Sequence, residues 1–123
     1  MTCGLEDVVE EVLEAIEEAK RLRGESASQA VVQSALNRRS WRCAEPISVG
    51  DDYSIVFKVP GLKPPSRGEV ESLRLGEVAE PIRNFPLVLK VGNSYLALGV
   101  SALRVSLDVD VDALKRLLKL GLT

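Results

Sequence analysis

The chain has 123 residues, 46% of them hydrophobic and 28% charged, and a formal net charge of −2. These values fit one folded domain and exclude both a disordered chain and a transmembrane helix. Histidine is absent, which excludes Ser-His-Asp and Cys-His nucleophilic sites and every His-based metal site.

Residues 5–23 are predicted to form an amphipathic helix, because Leu5, Val9, Val12, Ile16 and Ala19 recur at helical spacing with Val8 and Leu13 widening the stripe. The opposite face is nearly all Glu. Lys20, Arg21 and Arg23 in the last turn suit the helix dipole, and Gly24 suits a left-handed cap. A second helix follows at once, with Ser26 as N-cap, Gln29 completing a capping box and an end near Asn37. Its small apolar face, Ala27, Ala30, Val31 and Ala35, suits close packing in an antiparallel helical hairpin.

From Trp41 onward the apolar period changes to that of a strand. Trp41, Cys43, Ile47 and Val49 predict a first strand, interrupted at Pro46 and turned at Gly50-Asp51-Asp52; Tyr53, Ile55, Phe57 and Val59 predict a second. Residues 60–68 read as an extended loop, and a weaker strand is expected over 70–75. Residues 87–91 and 94–100 predict a hairpin about Gly92-Asn93 that pairs Leu89 with Leu96 and Leu87 with Leu98. Leu103, Val105, Leu107 and Val109 alternate as a last strand. A final helix is expected over 111–120, capped by Asp110, stopped by Gly121 and burying Val111, Leu114, Leu117 and Leu118. The fold class is therefore α+β: a helical hairpin over 1–38, an antiparallel sheet of five or six strands over 40–109, and a C-terminal helix over 110–122, with the helices on one sheet face.

Charge is sorted along this order. Residues 1–18 hold seven acids and no base, residues 19–43 hold six bases against Glu25 alone, and the remaining 80 residues carry ten of each. The segment Asn37-Arg38-Arg39-Ser40-Trp41-Arg42 is the stretch best suited to meet a partner. Guanidinium groups pair bidentately with phosphate or carboxylate, and an indole offers a stacking plane. Arg38, Arg39, Trp41 and Arg42 are the candidate binding residues, with Lys20, Arg21 and Arg23 in support. In an antiparallel hairpin the two basic groups lie about 15 Å apart, and a pI near 5.2 is unlike that of a dedicated nucleic-acid protein.

No residue pattern supports catalysis, a cofactor or a metal, so a non-enzymatic protein is expected. Neither a phosphate-binding nor a dinucleotide-binding glycine motif occurs. Asp108-Val109-Asp110-Val111-Asp112 opens like a calcium loop, but the Gly and Glu such a loop needs are replaced by Ala113 and Lys119. Val91-Gly92-Asn93-Ser94 is similar to a short fragment of AbrB-type antitoxins. Those proteins continue with an Arg and an Ile-Pro-Lys-like segment, whereas this chain continues Tyr95-Leu96-Ala97-Leu98-Gly99, and the resemblance ends there.

The expected role is a small subunit or adaptor of a larger assembly, with a protein partner or self-association first and a nucleic acid as a second candidate. A homo-oligomeric interaction module is the alternative. Neither a membrane span nor a secretory signal is visible, so a cytoplasmic location is expected. Two Gln, three Asn and ten Arg to six Lys lean toward a thermophile. Two readings of Cys3 and Cys43 stand open: free thiols, as in most cytoplasmic proteins, or the disulfide that thermophile interiors tolerate.

Overall fold

A computed structural model describes residues 3–123; Met1 and Thr2, with which the expected 1–38 unit opens, lie outside the described residues. Those residues form four helices and a six-stranded antiparallel sheet. Helix α1 (Leu5–Gly24) buries Val8, Val9, Val12, Ile16 and Ala19 of the expected stripe together with Ala15, while Leu5 and Leu13 are half-buried. It ends differently from the sequence reading. Gly24 stays helical, and Ser26 takes the left-handed position (φ 66°). Ser26 and Ala27 donate N–H bonds to Arg23 and Leu22 carbonyls at 2.9 and 3.0 Å, a Schellman arrangement.

Ser26 therefore caps the end of α1. Helix α2 (Gln29–Asn37) is capped by Ser28, whose hydroxyl accepts from the Val31 N–H. The shifted start also shifts the buried face: α2 buries Val32 and Leu36, and Val31 is left 49% exposed. The helices still form a hairpin, with α2 lying against both α1 and the first strand.

Trp41 and Cys43 precede the sheet, which opens with β1 (Glu45–Val49). Pro46 sits within this strand, as an edge strand allows, and the pairing shifts between Pro46 and Ser48, leaving Ile47 48% exposed. Strand β2 (Ile55–Lys58) pairs back on β1. The expected strand over 70–75 is instead helix α3 (Arg67–Leu73), because Ser66 and Glu69 make a reciprocal capping box. Strand β3 (Glu77–Ala79) follows it.

The hairpin of β4 (Leu87–Val91) and β5 (Ser94–Gly99) has the expected register, Leu89 opposite Leu96 and Leu87 opposite Leu98. Gly92 at its turn takes φ 61°, the sign required of the first residue in such a tight turn. Strand β6 is short (Ala102–Val105), and Leu107 and Val109 are buried beyond it. Helix α4 (Val111–Gly121) is capped by Asp110 and buries Ala113, Leu114, Leu117 and Leu118, while Val111 is 40% exposed. Gly121 is its last residue; a Cβ there would stand 2.8 Å from the Lys63 carbonyl oxygen.

The strand order is β1-β2-β6-β5-β4-β3, so β2 pairs with β6 and joins the first hairpin to a β3–β6 meander. Ile55, Phe57, Leu89, Leu96, Leu98, Leu103 and Val105 face the helices in one core. Val56, Val88, Ala97 and Arg104 form a row on the other face, where Phe85 packs beside Val88 and Ala97.

Candidate interaction surface

The basic segment runs from the end of α2 into the turn before β1, and the acidic face of α1 lies directly beneath it. Arg38 is the C-cap of α2 and is exposed. The Arg39 guanidinium lies 5.0 Å from the Trp41 ring centroid and 3.5 Å from a Glu14 carboxylate oxygen. Trp41 is half-buried, and its indole Nε1 donates to the Leu36 carbonyl at 2.8 Å, fixing the ring plane. A guanidinium held over an indole face is attracted by the ring quadrupole. The Arg39–Glu14 pair is half-exposed and is worth at most about 1 kcal/mol.

Arg42 is exposed as a side chain and anchored through its backbone. The N–H groups of Arg42, Cys43 and Ala44 converge on the Glu11 carboxylate at 2.9, 2.6 and 2.8 Å. Burial alone pushes Glu11 up; the hydrogen bonds from Arg42, Ala44 and Cys43 and the Arg42 charge outweigh it, and the carboxyl lies below its ordinary value. Cys43 is buried and bonded to Cys3 (S–S 2.09 Å), so the bridge is the reading the structure takes, and no described cysteine is free.

Lys20, Arg21 and Arg23 belong to the far end of α1 and divide among different neighbours. Arg21 bridges Glu18 and Glu25 at 2.7 and 2.9 Å. Its hydrogen bond also holds the Glu18 carboxyl below its ordinary value. Arg23 lies over the Tyr53 ring, whose hydroxyl donates to the Ala27 carbonyl. Lys20 is exposed. Of these three, Arg21 shares a shallow groove of about 620 Å³ with Arg39, floored by Glu10, Leu13, Glu14, Glu17 and Glu18 of α1.

Sequence reasoning missed Glu11 and Glu14, two carboxylates in a uniform acidic run whose partners come from a distant segment. It also missed Lys58, which lines a small depression with Trp41, Arg42, Cys43, Glu45 and Pro60.

A second polar cluster fastens the β1–β2 turn to the outer sheet face. Tyr95 Oη donates to Asp52 at 3.0 Å, Ser54 Oγ donates to Asp52 at 2.6 Å, and Arg104 Nε donates to both hydroxyls. Burial pushes Asp52 up, but the bonds from Ser54 and Tyr95 and the Arg104 charge hold it below its ordinary value. Both hydroxyls and both Asp52 oxygens are engaged inside the cluster. Among the described residues no three of His, Cys, Asp and Glu gather in a way that could hold a metal ion. No described helix is long and apolar enough to cross a membrane. Comparison with protein families, characterised proteins and solved structures finds no match for this chain.

Proposed function

We propose that the protein is a non-enzymatic binding module, a small subunit or adaptor of a larger assembly. Its contact surface is built around Arg38, Arg39, Trp41 and Arg42. The observation that supports this reading is the Arg39–Trp41 stack, oriented by Glu14 and by the Leu36 carbonyl. A half-exposed aromatic–guanidinium pair held in one orientation loses little entropy on binding, the property of interface hot spots. Carboxylates of α1 neutralise part of the basic charge, which favours a protein partner or a second copy over a polyphosphate. The stacking plane itself favours a single-stranded nucleic acid as the second reading. The bridge, the few amides and the excess of Arg over Lys support the cytoplasm of a thermophile as its setting.

The test compares wild type with Arg38→Glu/Arg42→Glu, which leaves the Arg39–Trp41 stack in place. Sedimentation gives the oligomeric state, and fluorescent single-stranded and duplex RNA and DNA are titrated at about 50 and 200 mM salt. The expected result is no nucleic-acid affinity that responds to both salt and the double variant. Affinity lost in the variant and falling with a slope of about 0.7 to 0.9 per phosphate would establish the nucleic-acid reading instead.

A further inference from the structure

We propose that the Cys3–Cys43 bridge and the Glu11 carboxylate are the two halves of one latch on the segment carrying Arg39, Trp41 and Arg42, and that thiol reductants open one half. This segment has no regular structure of its own between α2 and β1. It is fastened to the N-terminal part of α1 at neighbouring residues by two different chemistries. Cys43 is bonded to Cys3, the residue before the N-cap of α1, while three successive N–H groups from Arg42 to Ala44 grip Glu11. Both close the same loop. Each therefore holds the other's partners close, and opening one weakens the other.

The bridge is reachable from one side. Cys3 is exposed and lines an open depression of about 370 Å³ with Gly4, Leu5, Pro60 and Lys119, whereas Cys43 is 7% exposed. A glutathione thiolate attacks the Cys3 sulfur, forms a mixed disulfide and expels the Cys43 thiolate. A second glutathione resolves the mixed disulfide, giving glutathione disulfide and freeing Cys3. Two glutathiones lose two electrons, the bridge gains them, and two protons complete the protein thiols. Of the two halves of the latch only Glu11 then remains on residues 42–44, with the Trp41–Leu36 hydrogen bond and the Arg39–Glu14 pair further up the segment. The chain's single tryptophan, Trp41, sits inside the segment and reports its state. That the latch governs a partner surface rests on the preceding reading. The latch is tested on the full chain alone, so either can fail without the other.

Wild type, Glu11→Gln and Glu10→Gln are equilibrated in glutathione buffers near neutral pH. The bridged fraction is read by alkylation and mass, and Trp41 emission is read in parallel. Glu11→Gln is expected to open at a [GSH]²/[GSSG] ratio about tenfold lower than wild type. Glu10→Gln, an equal change of charge one residue away, is expected to match wild type. Trp41 emission shifts to longer wavelength on reduction, and further in Glu11→Gln. Glu11→Asp keeps the charge and shortens the reach; it is expected to give an intermediate shift and decides the question if Glu11→Gln does not fold. Equal midpoints for wild type and the Glu11 variants, an equal shift in Glu10→Gln, or unchanged Trp41 emission on reduction would overturn the proposal.

Discussion

The Glu11 carboxylate accepts backbone N–H groups from as far as 33 residues away, and nothing in its local sequence marks it out from Glu10 or Glu14. Its role follows from what the segment after α2 lacks. Residues 42–44 lie between the end of α2 and the start of β1, with neither helix nor strand to pair them, so three N–H groups need an acceptor. A carboxylate is the strongest one available, since charge-assisted hydrogen bonds are worth more than neutral ones. Because these bonds favour the ionised form, Glu11 titrates below its ordinary value of 4.5. The contribution to stability is therefore complete above that value and is lost as pH falls through the lower, folded-state pKa. Glu11→Gln is expected to cost about 1–2 kcal/mol near neutral pH. In urea unfolding the gap between variant and wild type should close steadily as pH drops below 4.5. A gap that stayed constant with pH would mean the carboxylate's charge is not what the segment binds.

Helix ends are where sequence and structure part company, and for definable reasons. The long periodic elements were legible: α1, α4 and the β4–β5 hairpin each repeat one face often enough to fix period and register. At the α1–α2 joint the sequence reading makes Gly24 left-handed and Ser26 the N-cap of α2. The structure puts Ser26 in the left-handed position because the turn needs Leu36 and Val32, rather than Ala35 and Val31, on the core. The two versions predict opposite signs for one mutation. With Gly24 helical and a Cβ there meeting nothing within 4 Å, Gly24→Ala should stabilise by about 0.5–1 kcal/mol. Ser26→Gly should stabilise by a similar amount by relieving a left-handed serine. Destabilisation by Gly24→Ala in thermal unfolding would restore the first capping. Helix α3 was missed because Leu73 and Leu75 alternate like a strand, although Ser66 and Glu69 carried the capping signal; Ser66→Ala should cost about 1 kcal/mol. The candidate surface was half legible. Arg38, Arg39, Trp41 and Arg42 stand together in the chain, whereas the carboxylates that orient them come from another element.

At the scale of the whole molecule, one covalent tie joins the start of the helical layer to the entrance of the sheet. The bridge spans 40 residues of sequence, the complete α1–α2 hairpin, and lies beside the β1–β2 end of the sheet. Closing a loop of that length removes chain entropy from the unfolded state equivalent to about 4 kcal/mol. The unfolding entropy expected of a chain this size turns that into a loss of about 15 °C in Tm when the bridge is absent. Cys3→Ala/Cys43→Ala should show this loss while keeping its far-UV circular dichroism, because Cys43 is one small side chain at the margin of a large core that also holds Phe57, Leu96, Leu103 and Leu117. The same double variant still has Glu11 to hold residues 42–44, so its Trp41 emission should move less than that of Glu11→Gln after reduction. Calorimetry separates the alternatives. A Tm equal to that of the oxidised wild type would show that the two sulfurs are not joined in the folded protein. A lost far-UV spectrum would show that the hairpin and the sheet depend on the tie to assemble at all.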